Sequence, residues 1–142
     1  MKNILKKITN KSVIITVIGL GYVGLPLIHR FIKKKIKTYG IDIDKKKVNY
    51  LINGKNYIKS INIDYFKKNK NRVFSNYNIV SKSDIIIICL PTPLKRNKPD
   101  LSYIKKCMKS IFPYLKEGQM LVLESTVYPG ATNEILTSKL KQ

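Results

Sequence analysis

The stretch that decides the fold reads Val17-Ile18-Gly19-Leu20-Gly21-Tyr22-Val23-Gly24, a GxGxxG pattern directly behind a β-branched run. The run over residues 13–18 predicts a strand buried on both faces, and the residues behind the pattern predict a helix. In that setting the first glycine allows a tight turn, the second lets the backbone approach a pyrophosphate, and the third allows close helix packing. The helix N-terminus attracts phosphates. We therefore predict a dinucleotide site made of Gly19, Leu20, Gly21, Tyr22, Val23 and Gly24.

Strands and helices alternate along the rest of the chain. Apolar residues at three- and four-residue spacing mark the helices, and short β-branched runs mark the strands. We predict strands over residues 13–18, 38–43, 73–74, 85–90 and 120–123, and helices over residues 22–37, 44–53, 64–70, 100–115 and 131–140. Each crossover between parallel strands needs a helix packed back on the sheet. This order therefore predicts an α/β fold, a Rossmann-type doubly wound parallel sheet.

Residues 1–142 are expected to form a single dinucleotide-binding Rossmann domain, because no repeat or linker interrupts the alternation. The pattern ends with the helix behind the fifth strand. A six-stranded doubly wound fold would still need its last strand. We therefore expect a domain truncated before that strand, with an unpaired sheet edge.

The composition is that of a folded protein with a large positive charge. The 142 residues are 44% hydrophobic, which supports a buried core and excludes a disordered basic tail. The longest apolar run, residues 85–90, falls far short of the roughly 20 residues of a membrane span. The N-terminus also lacks the apolar stretch of a secretory signal. We expect a cytoplasmic protein without a membrane partner.

The net charge of +20 raises the question of nucleic acid binding. The 25 lysines are spread in short clusters along the chain, and no arginine-rich stripe with interleaved aromatic residues is present. Lys, Ile and Asn are also all encoded by A/T-rich codons, so mutational bias can produce this charge. We expect a solvated basic surface and no specific nucleic acid partner; a basic polyanion-binding protein remains the less favoured alternative.

Cysteine and histidine usage argues against a metal site and against a thiol nucleophile. Cys89 and Cys107 have neither CxxC nor Cys/His spacing, and His29 is the single histidine. Cys89 belongs to a predicted strand and Cys107 to a predicted helix, where packing is the usual role of a cysteine. We predict no metal ligand and no catalytic residue in this chain.

Asp42 is the candidate residue for the adenosine ribose. It closes the second predicted strand 18 residues after Gly24, where a carboxylate can accept hydrogen bonds from ribose hydroxyls. Its charge would repel a 2′-phosphate, so NAD is favoured over NADP. The neighbouring Lys45, Lys46 and Lys47 partly offset that repulsion.

Polar residues also follow two later strands. Pro91, Thr92 and Pro93 come after the fourth strand, and Thr126 comes after the fifth. Ligands of open α/β sheets bind at the carboxyl ends of parallel strands. These residues can contact the ribose and nicotinamide.

Several segments together resemble the N-terminal domain of the UDP-glucose/GDP-mannose dehydrogenase family. They are residues 17–27, 40–44 and 90–94. Three more segments resemble its UDP-N-acetylglucosamine 6-dehydrogenase branch, namely residues 56–61, 99–103 and 123–130. The resemblance extends over nearly the whole chain.

The resemblance implies an NAD-dependent oxidation of the C6 alcohol of a UDP-sugar, through an aldehyde, to a uronic acid for polysaccharide biosynthesis. Two NAD are consumed, and UDP-N-acetylglucosamine is the expected sugar nucleotide. By position, Asp42 would hold the adenosine ribose and Lys47 would contact the adenosine. Thr92 and Thr126 would line the nicotinamide side.

The resemblance also implies that the chemistry lies elsewhere. The catalytic cysteine of the family, its assisting residues and the UDP-binding domain belong to later segments. We therefore expect the isolated chain to be inactive and to meet a UDP-sugar only when that domain is supplied. The full-length family can form oligomers. A non-catalytic NAD-binding remnant remains an alternative.

Overall fold

The structure, a computed structural model, describes residues 2–58, 66 and 72–137. Its strands are β1 (Ile14–Ile18), β2 (Lys37–Ile41), β3 (Val73–Phe74), β4 (Ile85–Ile88), β5 (Leu94–Lys95), β6 (Lys98–Pro99) and β7 (Met120–Leu123). Its α-helices are α1 (Lys2–Thr9), α2 (Gly24–Lys33), α3 (Lys45–Ile52) and α4 (Ser102–Ile111). Two 3-10 helices (Asn78–Lys82 and Phe112–Tyr114) and a π-helix (Asn133–Thr137) complete the described elements.

Five of these strands form one parallel sheet in the order β3-β2-β1-β4-β7. β1 is central, and its register places Ile18 beside Ile41 of β2 and Ile88 of β4. The chain therefore adds β2 and β3 on one side of β1, and then adds β4 and β7 on the other side. This order is that of the doubly wound Rossmann sheet, and the predicted fold class is confirmed.

The sheet is covered on both faces, as four consecutive isoleucines in β4 show. Ile85 and Ile87 join a core with Leu25 and Ile28 of α2. Ile86 joins the opposite core, which includes residues of α4. Side chains alternate between the two faces of a strand. An unbroken isoleucine run is thus what a strand buried on both sides requires.

The five predicted sheet strands are all present, with small shifts at their ends. β4 ends at Ile88, three residues before Pro91, and β2 covers 37–41 instead of 38–43. The first predicted helix is shorter than 22–37, because Lys35 adopts a left-handed conformation (φ +61°) that ends α2. The helix predicted over 64–70 lies outside the described residues except for the helical Phe66.

The prediction for the last two helices needs correction. The helix expected over 100–115 is α-helical only to Ile111, and a 3-10 turn containing Pro113 follows. The helix expected over 131–140 has π geometry over Asn133–Thr137, and its remainder lies outside the described residues.

The sequence analysis did not predict α1 or the β5–β6 hairpin. The antiparallel hairpin turns at Arg96 and Asn97, which both have positive φ angles (51° and 59°). Two left-handed residues are the geometry of a type I′ turn. Asn tolerates this conformation, but Arg gives no signal for it.

Helix α1 is attached to the sheet by an ion pair at the amino end of the strands. The Lys7 ammonium lies 2.5 Å from Asp84 Oδ1, and Asp84 Oδ2 accepts the Ile14 N–H at 2.9 Å. Burial raises the pKa of Asp84, but the hydrogen bonds from Lys7 and Ile14 outweigh it, so the pKa lies below its ordinary 3.8. The carboxylate thus joins α1, β1 and the start of β4.

Within the residues that the structure describes, none of the helices is long and apolar enough to cross a membrane.

We predict that Asp84→Asn lowers the free energy of unfolding by about 1 to 2 kcal/mol at pH 7, because a charge-assisted acceptor is lost. A carboxylate with a lowered folded-state pKa stabilises above its unfolded pKa, and this contribution is lost as the pH falls through the folded pKa. Urea unfolding of the wild type and of Asp84→Asn should therefore give free energies of unfolding whose difference shrinks below pH 3.8.

The matched control is Glu117→Gln, because Glu117 is exposed in the same cavity as Asp84. It should change stability by less than about 0.5 kcal/mol. Equal effects of the two substitutions would contradict the assigned role of Asp84.

Candidate functional site

Two glycines of the GxGxxG loop are required by packing. Gly19 has φ +95°, and a Cβ there would lie 2.5 Å from the Cys89 carbonyl oxygen at the end of β4. A Cβ on Gly24 would overlap the Gly19 carbonyl oxygen and press on the Val17 side chain. These two positions therefore let the loop turn tightly and let α2 approach β1.

Gly21 is different, because a Cβ there would meet no protein atom within 4 Å. Gly21 lines an open cleft of about 530 Å³ at the carboxyl ends of the sheet strands. Its lack of a side chain therefore leaves space on the cleft side of the loop. This is the space that a pyrophosphate approaching the backbone requires.

Asp42 is the charged residue that binds the backbone of the glycine loop. The residue is 7% exposed, and its carboxylate accepts the Leu20 N–H at 2.9 Å through Oδ2 and the Asp44 N–H at 2.9 Å through Oδ1. The Lys47 ammonium lies 3.4 Å from Oδ2. A carboxylate has about four acceptor positions. Capacity therefore remains for hydroxyl donors from a ribose in the cleft.

Tyr57 also holds the glycine loop, and it was not identified from the sequence as a site residue. Its hydroxyl donates to the Leu20 carbonyl oxygen at 2.7 Å, and its ring packs against the core on the α2 face. Burial, followed by the negative charges of Asp42 and Asp44, raises its pKa. The hydroxyl therefore stays protonated at neutral pH. The segment 56–61 signalled Tyr57 only through the family resemblance.

Side-chain hydrogen bonds join the loops that follow β4 and β7, and both loops line the cleft. Ser125 Oγ donates to the Leu90 carbonyl at 2.7 Å and accepts the Leu90 N–H at 3.1 Å. Thr92 Oγ1 donates to the Thr126 carbonyl at 2.7 Å. These bonds hold the two polar loops at a fixed separation. Ser125 is a second supporting residue that the sequence analysis left without a role.

Most of the predicted cofactor residues meet at this cleft. Its lining includes Gly19, Gly21, Tyr22, Val23, Asp42, Lys47, Pro91, Thr92 and Thr126. Leu20, Gly24 and Pro93 are not part of it. Leu20 and Gly24 are buried, whereas Pro93 is exposed outside the cleft. Leu20 and Gly24 contribute to the architecture of the glycine loop, and direct contact of all three residues with a cofactor stays a prediction.

The two cysteine thiols are poorly suited to nucleophilic chemistry. Burial and the nearby Glu124 raise the pKa of Cys89 to about 11, and burial raises that of Cys107 to about 12. Both thiols are thus protonated at neutral pH. The described part of the chain contains no cluster of three or more His, Cys, Asp or Glu side chains that could hold a metal ion.

Comparison with known families identifies the family of this chain. The family model described as the NAD binding domain of the UDP-glucose/GDP-mannose dehydrogenase family matches residues 13–142. The chain belongs to this family. The expected family and the expected cofactor, NAD, are thereby confirmed.

A relative of known structure has the same fold as this chain, and the names of the relatives give different sugars. The chain is 37% identical over 126 residues to a UDP-N-acetyl-D-glucosamine 6-dehydrogenase of Pseudomonas aeruginosa, covering 87% of this chain and 30% of the relative. It is 35% identical over 129 residues to a UDP-N-acetyl-D-mannosamine dehydrogenase of Methanococcus maripaludis, covering 85% and 30%. A UDP-D-ManNAc dehydrogenase structure from Pyrococcus horikoshii superimposes with a TM-score of 0.82 at 27% identity, covering 90% and 32%. The chain thus spans about a third of the length of each of these three relatives.

We predict unequal stability effects for alanine substitutions at Gly24 and Gly21 of the loop. Gly24→Ala should lower the free energy of unfolding by about 1 to 3 kcal/mol or more, because its methyl group has no space. Gly21→Ala should change it by less than about 0.5 kcal/mol, because its methyl group enters the open cleft. Thermal and urea unfolding measure both, and equal losses at the two positions would contradict the loop geometry.

Proposed function

We propose that this chain is the NAD-binding part of a dehydrogenase that oxidises the C6 alcohol of a UDP-N-acetylhexosamine. The observation that carries the proposal is the open space at Gly21, directly above a loop held by Asp42. The pyrophosphate lies over the loop, the adenosine ribose lies at Asp42, and the nicotinamide lies towards Thr92 and Thr126. This arrangement places the reacting end of the cofactor where the β4 and β7 loops meet.

The cofactor is NAD in preference to NADP. Asp42 is buried and accepts two backbone N–H groups, so its carboxylate position is fixed. A ribose 2′-phosphate at this position would meet that negative charge. Lys47 offsets the charge only in part, since its ammonium lies at 3.4 Å and is already directed at the same carboxylate.

The substrate class is a UDP-sugar with an N-acetyl group at C2. The resemblance of residues 56–61, 99–103 and 123–130 favours the glucosamine form, while relatives of similar identity act, by their names, on either epimer. The reaction removes a hydride from C6 twice. The alcohol loses a hydride to one NAD and a proton to give the aldehyde. A cysteine thiolate from outside this chain then adds to the aldehyde, and the thiohemiacetal loses a hydride to a second NAD and a proton to give a thioester. Water hydrolyses the thioester to the carboxylate and releases the thiol. The uronic acid sugar serves polysaccharide biosynthesis in the cytoplasm.

The 142-residue chain by itself binds cofactor without turnover. The family reaction passes through a cysteine thiolate. The thiols of Cys89 and Cys107 are protonated at neutral pH, and Cys107 is buried away from the cleft. A UDP-binding domain must therefore supply the nucleophile and the sugar site. Oligomer formation belongs to the assembled enzyme, and the basic surface has no specific nucleic acid partner.

Calorimetric titration of the purified chain with NAD at physiological salt tests the proposal. We predict saturable binding to one site per chain, weaker binding of NADP, and at least about tenfold weaker NAD binding by Gly21→Ala, because a methyl group occupies the pyrophosphate position. Adding UDP-N-acetylglucosamine or UDP-N-acetylmannosamine should produce no NADH absorbance.

The folded state of Gly21→Ala, checked by circular dichroism, serves as the control for this loss. Asp100→Asn is a control for a substitution outside the cleft, because Asp100 accepts the Ser102 N–H at the start of α4 and does not line the cleft. It should leave NAD affinity unchanged. Absence of NAD binding by a folded wild-type chain would overturn the cofactor proposal, and NADH formation would overturn the proposal of an inactive chain.

A further inference from the structure

The backbone of Leu20 is held by side chains on both sides. Its N–H donates to Asp42, 22 positions away, at 2.9 Å, and its carbonyl accepts from Tyr57, 37 positions away, at 2.7 Å. The Leu20 side chain is itself fully buried. The central peptide of the glycine loop is therefore fixed by two distant parts of the sequence.

The hydrogen bond from Tyr57 also determines the direction of the next N–H group. The peptide between Leu20 and Gly21 is trans, so the Leu20 carbonyl and the Gly21 N–H point in opposite directions. Because the carbonyl is directed at Tyr57, the Gly21 N–H is directed away from it. Gly21 lines the cleft, while Tyr57 is not part of the cleft lining.

The Tyr57 hydroxyl is well suited to hold this peptide. Its ring is packed against the core on the α2 face, so the position of the hydroxyl is set by the fold. The raised pKa, caused first by burial and then by Asp42 and Asp44, keeps the hydroxyl protonated as a donor.

We propose that Tyr57 is a positioning residue for the cofactor: by holding the Leu20 carbonyl, it presents the Gly21 N–H to the pyrophosphate. The role rests on the proposed function, since it requires that NAD binds over this loop. It predicts that Tyr57 acts on ligands with a diphosphate and has no effect on the adenosine portion, which lies at Asp42.

The test compares Tyr57→Phe with the wild-type 142-residue chain. This substitution removes one hydroxyl and keeps the ring that packs against the core. NAD and ADP should bind about three- to tenfold more weakly, which corresponds to one lost hydrogen bond. Adenosine, whose weak binding is measured by NMR titration, should bind equally to both proteins. Tyr50→Phe is the matched control, because Tyr50 is 45% exposed on α3, and it should leave all three affinities unchanged.

A second measurement on the wild-type chain does not depend on the folding of a variant. The amide resonance of Gly21 in isotope-labelled protein should shift on addition of ADP and stay in place on addition of adenosine.

The outcomes separate this inference from the proposed function. Normal NAD binding by the wild type together with an unaffected Tyr57→Phe variant would overturn the role of Tyr57 alone. Equal weakening of ADP and adenosine would also overturn it, since the effect would then be general loosening of the domain. A Gly21 amide resonance that does not shift on addition of ADP would also overturn the role of Tyr57. Failure of the wild type to bind NAD would overturn both proposals.

Discussion

The hydrogen bond from the Leu20 N–H to Asp42 is the contact on which the rest of the site depends. It joins the loop behind β1 to the end of β2, two strands that the sheet register already places side by side. The same carboxylate accepts the Asp44 N–H at the start of α3. One buried side chain thus links the glycine loop to the start of the next helix. A charge this deeply buried is tolerated because several donors satisfy it.

The sequence predicted those parts of the fold whose signals are local. The GxGxxG pattern and the isoleucine run of β4 identified the Rossmann sheet, since both reflect constraints within a few residues. Helix α1 was missed because its attachment depends on Asp84, 77 positions from Lys7. The hairpin was missed because its turn places an arginine in a left-handed conformation. The hairpin leaves no periodic pattern in the sequence.

The lining of the candidate cofactor cleft was predicted to a similar extent and for the same reason. Asp42, Gly21 and the residues behind β4 and β7 lie at strand ends, so their position at the cleft follows from the topology. Leu20 and Gly24 were grouped with them by the motif, yet they are buried and build the loop. Tyr57 and Ser125 act on backbone groups far away in sequence, and such bonds have no sequence pattern.

A crystal structure of the chain with NAD tests the central claim most directly. We predict pyrophosphate oxygens within hydrogen-bonding distance of the Gly21 N–H and adenosine ribose hydroxyls at Asp42. The Leu20 carbonyl should remain bonded to Tyr57. NAD bound at another site, or a glycine loop whose Leu20 carbonyl turns into the cleft when NAD binds, would contradict it.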